Sequence, residues 1–241
     1  MRWNRLEAIG IRAVPVLLIL ALLGMAALGC REIVNSSTVQ LFGPFVARVE
    51  TDEKVVALTF DDGPHPTNTR RMLDLLDRHA VRATFFMMGR NVERRPALAR
   101  EVLERGHEIG NHSYSHPKLV LMSPSRVREE IERTDRLLRD IGVTGEIHFR
   151  APHASKFLVL PYVLLRMGKL NVQGDVDPAE WKHRPASVMV ADVLRQVRRG
   201  SIIGFHDTQG DPTLETVDRV LTTLLEQGYR FETVSQLITR R

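Results

Sequence analysis

The residues best suited to chemistry lie in two short runs. Thr59-Phe60-Asp61-Asp62-Gly63-Pro64 sets two carboxylates side by side, and His112-Ser113-Tyr114-Ser115-His116-Pro117 sets two imidazoles four residues apart. Adjacent carboxylates repel unless a cation or a basic partner absorbs the charge. Asp-Asp-Gly-Pro alone is also an ordinary solvated turn. The histidines change its meaning: four apart on a helical segment, they project in one direction and can reach one metal ion. With Asp62 they make an Asp-His-His set that leaves a coordination position open for water, the form of a catalytic rather than a structural site. Zn2+ is the first expectation, with Co2+ or Ni2+ also compatible.

Further polar residues follow the same rule of placement. Arg150 ends one apolar run, Asp175, Asp177 and Glu180 (with Trp181) follow another, and His206-Asp207 follows a third. The elements that must position them read as alternating strand and helix. Strands are expected at Val55–Phe60, Thr84–Met88, Glu108–Asn111, Ile147–Arg150, Leu170–Gly174, Ser201–Phe205 and Arg230–Thr233. One helix starts at Ser123 and Pro124, carries Val127, Ile131, Thr134 and Leu138 on one stripe, and stops at Gly142. Others run from Pro96 to Gly106, from Ser187 to Gly200 and from Pro212 to Gly228. Alternation of this kind predicts a parallel sheet, open or closed into a barrel. Every polar site follows a strand's C-terminal end, the face where α/β folds place ligands.

The chain has 241 residues, 43% hydrophobic and 26% charged, which excludes a disordered polymer. Its one cysteine, Cys30, excludes an internal disulfide and a multi-thiolate zinc site. The net charge of +5 comes without a basic run carrying interleaved aromatics, so no nucleic-acid partner is expected, and no obligate protein partner is evident. Residues 1–30 read as a signal or membrane anchor. Arg2, Arg5 and Arg12 precede an uncharged run from Ala13 to Cys30, long enough as a helix to reach roughly 27 Å. The basic flank predicts an extracytoplasmic body, membrane-anchored, lipid-anchored through Cys30, or secreted if the signal is cleaved. Ala27-Leu28-Gly29-Cys30 resembles a lipoprotein signal. Residues 31–53 read as a linker and lead-in, and residues 54–241 as one catalytic domain.

In order, T-F-D-D-G-P, H-S-x-x-H-P, F-R-x-P, D-x-D-x-x-E-W and I-x-x-H-D resemble the polysaccharide deacetylase family, the NodB-homology domain of carbohydrate esterase family 4. The resemblance spans roughly residues 54–237. It implies an α/β fold, a distorted (β/α) barrel of about seven parallel strands, and metal-dependent removal of N- or O-acetyl groups from a polysaccharide such as peptidoglycan or a chitin-like glycan. Asp62, His112 and His116 would hold the metal. Asp61 would be the general base, Arg150 its partner, and His206 the general acid that protonates the departing amine. The backbone N–H of His153 would contact the oxyanion.

Four positions depart from the family pattern. His153 replaces a common Tyr, and Gly174 replaces a Trp that often walls the groove. Glu180 replaces the Asp that usually orients the catalytic histidine, so Asp177 is a candidate to share or take that role. Gly204 replaces a Leu of the acetyl pocket. With two walls missing, a shallow groove for an internal sugar is expected, with Phe157, Trp181 and Phe205 the nearest aromatics to fill it. Two other readings remain: hydrolysis of a different amide, such as a cyclic imide or ureide, and a glycan-binding module without turnover.

Overall fold

The computed structural model describes residues 34–240, together with Gly29 and Glu32. The expected leader and Cys30 therefore lie outside the described residues. Among the described residues no helix is long and apolar enough to cross a membrane.

The sheet grows from β2 (Val55–Asp61), whose VVALTF run is buried on both sides, as a central parallel strand requires. It pairs in parallel with β3 (Thr84–Met87) and β6 (Ile202–His206), and β3 pairs with β4 (Glu108–Asn111). β7 (Arg230–Glu232) pairs with the foot of β2 at Val55–Ala57. β1 (Phe45–Val46) pairs with β5 (Asn171–Val172). The expected strand at Ile147–Arg150 is reduced to bridges from Phe149 to Asn111 and Asn171, and Val176 bridges to Ile203. Pairing thus runs from β6 through β2, β3, β4 and Phe149 to β5, and returns to β6 at Val176. The lead-in is more structured than the sequence suggests. β1 falls inside it, and the buried Val49 donates its N–H to Gly200 O at 2.9 Å.

Strand parity divides the core. Val56, Leu58 and Phe60 of β2, Phe85 and Met87 of β3, and Ile203 and Phe205 of β6 point out to the helices. Val55, Ala57, Phe86 and Ile202 point inward. The outer layer includes α1 (Asn68–Arg78), α2 (Gly89–Arg94), α3 (Pro96–Glu104) and α4 (Pro124–Asp140). It continues with α5 (Val159–Met167), α6 (Ala186–Gln196) and α7 (Asp211–Glu226), whereas α8 (Val234–Ile238) packs Val234 and Leu237 against the inward-pointing cluster. α4 follows its sequence signals closely. Ser123 Oγ accepts from Arg126 N, Pro124 opens the first turn, and Val127, Ile131, Thr134 and Leu138 are buried. A cap of this kind is worth about 1 kcal/mol.

Candidate active site

Every expected site residue that the structure brings together stands at the C-terminal end of the sheet. β2 ends on Asp61, and the chain turns at once through Asp62, which takes a left-handed φ of 74°. Asn91 Nδ2 holds that turn by donating to Asp62 O at 2.7 Å. The histidine segment after β4 is a loop and not a helix, so the helical projection expected from the spacing is corrected. Ser113 and His116 both have positive φ (60° and 62°). Glu130 on α4 moulds the loop by accepting from Tyr114 N, Ser115 N and Ser115 Oγ at 2.8–2.9 Å. Asn111 Oδ1 accepts from Ser113 N, and Ser113 Oγ accepts from His116 N. The two imidazoles still converge, with ring centroids 5.0 Å apart.

These residues fit a divalent ion. Asp62 Oδ1 is buried without a hydrogen-bond partner and stands 3.5 Å from His112 Nε2 and 3.2 Å from His116 Nε2. Ligand atoms at 2.0–2.2 Å from a tetrahedral ion are about 3.4 Å apart. His112 Nδ1 lies 3.0 Å from Arg150 O. A carbonyl only accepts, so Nδ1 carries the proton and Nε2 keeps its lone pair for a metal. Burial, with His112 alongside, pushes His116 down to about 4, leaving a neutral ligand at pH 7.

Two charged pairs flank this triad. Asp61 Oδ1 accepts from Arg150 Nη1 at 2.8 Å. Burial pushes the Asp61 carboxyl up, but Arg150, His112 and His206 outweigh it and hold it below its ordinary value. Arg150 is itself buried. Its other contacts are Thr59 Oγ1 at 2.7 Å, Val172 O at 3.2 Å and Gln173 O at 3.4 Å, with Phe86 4.1 Å beneath the guanidinium. Opposite, Glu180 Oε2 accepts from both Nδ1 and the backbone N–H of His206, each at 2.9 Å. Burial lowers the His206 imidazole, yet Glu180, Asp61 and Asp62 together raise it to about 9.

The structure separates the two candidates for orienting His206. Glu180 reaches the ring. Asp177 is exposed and accepts from Ala179 N at 2.6 Å, fixing the turn that presents Glu180. Phe205 is the clearest correction among the substrate contacts. It is fully buried, with its ring 6.3 Å from Phe60, because its neighbours Gly204 and His206 face the cavity and strand parity turns it away. Phe157 is half-buried and does not line the cavity, and the Trp181 side chain lies outside what the structure describes. His153 does line it, with its ring 4.3 Å from that of His116 and its backbone at a φ of 57°.

The cavity measures about 650 Å³. Gly204 opens onto it, since a Cβ there would come no nearer than 3.8 Å to Arg150 Nη1. At Gly174 a Cβ would stand 2.8 Å from Ile202 O, so the close approach of backbone to β6 leaves no room for a tryptophan. Part of the lining comes from a place sequence reasoning missed: Asn35 and Ser37. Lys156 pins that segment. Its N–H donates to Val34 O at 2.9 Å, and its Nζ donates to Ser36 O. The side chain is buried, which pushes its pKa down to about 8. A lysine within a mixed stretch gives no sequence signal of such a role.

A family model described as polysaccharide deacetylase matches residues 48–172. The peptidoglycan-N-acetylglucosamine deacetylase PgdA of Listeria monocytogenes is 36% identical over 194 residues, covering 80% of this chain and 41% of that protein. The chain thus spans about two fifths of the length of that relative. A family 4 acetyl xylan esterase from Clostridium thermocellum, solved with a cobalt ion, is similar at a TM-score of 0.71 and 37% identity, over 77% of this chain and 91% of that one. A CE4 family pseudoenzyme from Bacillus anthracis is similar at a TM-score of 0.76 and 27% identity, over 83% and 70%.

Proposed function

We propose that this chain, which belongs to the polysaccharide deacetylase family, is a metal-dependent hydrolase that removes acetyl groups from a cell-surface polysaccharide, with peptidoglycan the first candidate. The observation that carries the reading is the pair of opposed charge couples, Asp61–Arg150 and His206–Glu180, on either side of Asp62, His112 and His116. Asp62, His112 and His116 would hold a divalent cation, zinc in our reading, which would supply Lewis acidity to a water and to the acetyl carbonyl. The protein's own groups do the proton work. Asp61, kept ionised and oriented by Arg150, accepts a proton from the attacking water. His206, kept protonated at neutral pH by Glu180, gives its proton to the leaving nitrogen as the C–N bond breaks, releasing acetate and an amine. The backbone N–H of His153 serves the oxyanion, and its ring contacts the sugar.

The remaining assignments follow from this reading. Residues 1–30 anchor or export the chain, the body works outside the cytoplasmic membrane, and the circuit of parallel pairings is a distorted barrel. The likeness to a pseudoenzyme favours a second reading, a glycan-binding module without turnover. Both charge couples argue against it. Acetate release from peptidoglycan, chitin oligomers and acetylated xylan, with and without chelator, tests the choice. Chelator-sensitive release that zinc restores is expected. No release from any glycan, with metal bound at one per chain, would leave the binding module.

A further inference from the structure

One corner of the molecule carries an apolar surface that nothing in the catalytic reading uses. Leu158, Tyr162 and Leu165 follow the four-and-three spacing of a single helical stripe along α5, and each is about half exposed (50%, 50% and 51%). Leu160, Val163 and Leu164 are buried on the other face, so the helix is apolar nearly all round. A helix of that composition belongs inside a core or against lipid. Val39, Leu41 and Phe42 are exposed as well. Their loop lies against the stripe, because a Cβ built on Gly43 would be 3.3 Å from Pro161 O and 3.8 Å from Leu165 Cβ.

The chain enters the fold at this same corner. Val34 O accepts from the N–H of Lys156, two residues before Leu158, and Lys156 Nζ holds Ser36 O. Upstream stands the uncharged run from Ala13 to Cys30. Only four residues lead from Cys30 to Val34, a reach of at most about 14 Å. We propose that Val39, Leu41 and Phe42, with the outer stripe of α5, rest in the interfacial layer of the bilayer into which the leader runs. The composition suits that layer. Tyr162 offers an apolar ring with a polar tip, and the exposed Arg166 beside Leu165 meets anionic headgroups. Asn35 and Ser37 line the cavity, so docking brings its mouth close to the lipid surface. Under the deacetylase reading, the substrate is then the glycan nearest the membrane. The docking itself does not depend on that reading.

The test uses the full chain in vesicles of phosphatidylethanolamine and phosphatidylglycerol. Leu165→Cys, and separately Phe42→Cys, carry an environment-sensitive fluorophore. Glu226→Cys on α7 is the exposed control, and the parent chain, whose one cysteine is Cys30, gives the background. The expected result is a blue shift at positions 165 and 42, with loss of emission when the vesicles contain doxyl-labelled lipid, and neither at 226. Quenching of 165 and 42 by aqueous iodide to the same degree as 226 would overturn the proposal. Protection from iodide without quenching by doxyl lipid would overturn it too, because a second copy or the leader would then be the cover. A chain that fails to associate with vesicles would also refute it. Acetate release plays no part in these readouts, so docking and catalysis fail separately.

Discussion

Replacing Glu180 by glutamine removes one charge while keeping the shape of the site. Oε2 of Glu180 accepts from Nδ1 and from the backbone N–H of His206, and an amide oxygen can still accept from both. Burial disfavours the imidazolium, and Glu180, Asp61 and Asp62 overcome that to reach about 9 from an ordinary 6.5. The difference is about 3 kcal/mol at 1.36 kcal/mol per tenfold. Because the ring is one-third exposed and two aspartates share the effect, we assign Glu180 about 1–3 kcal/mol. The variant imidazole should then titrate about 1–2 pH units lower. Histidine nitrogen NMR on metal-free protein reads this directly. Linkage gives an independent check. The folded-state value is raised, so the stabilisation is complete below about 6.5 and is lost as pH rises through about 9. The wild-type melting temperature should fall across that window, and Glu180→Gln should flatten the fall. An unchanged titration in Glu180→Gln, or an equal shift in Asp177→Asn, would refute the assignment.

Other expectations follow from the same geometry. His112→Ala should abolish stoichiometric metal binding, measured by calorimetry with Zn2+, whereas Asp61→Asn should keep the metal and lose activity by about 10²–10⁴-fold in acetate release. Gly174→Ala should destabilise by about 1–3 kcal/mol in denaturant titration, because its Cβ meets Ile202 O at 2.8 Å, while Gly204→Ala, whose Cβ meets nothing nearer than 3.8 Å, should not. Lys156→Met should release the Val34–Ser37 segment from the cavity edge, raising KM for a chitin tetramer while kcat on a small acetyl ester holds; an equal loss on both would show only general damage.

Legibility varied with the kind of signal. α4 was readable because a cap, a proline, an amphipathic stripe and a terminating glycine all agree over one segment. α5 was not, because VLPYVLLRM is apolar on both faces and carries no period. α1 has Thr69, Met72, Leu73 and Leu76 at helical spacing, and its N-cap residue Thr67 makes no side-chain cap hydrogen bond. β1 is two residues long and owes its place to pairing with β5, a long-range contact with no local trace. The metal triad was found by residue type. The geometry assumed for it was wrong, because Glu130 and two left-handed residues do the work expected of a helical turn.

The misplacement of Phe205 has a more general cause. In a parallel strand buried on both faces the hydrophobic pattern carries no alternation, so the sequence does not say which residues look inward. Chemistry supplies the missing parity. If Asp61 faces the cavity, then Thr59 must face the same way and Phe60 the opposite way. The register pairs Asp61 with His206 and Thr59 with Gly204, which carries that parity onto β6 and turns Phe205 outward. Thr59 Oγ1, accepting from Arg150 and donating to Ile203 O, ties the two strands just beneath the reacting groups. His206 alone, once taken as a cavity residue, fixes its strand neighbour Phe205. Assigning one catalytic side chain on a buried strand therefore excludes the adjacent residue from the site, and that rule rules out Phe205 without any coordinates.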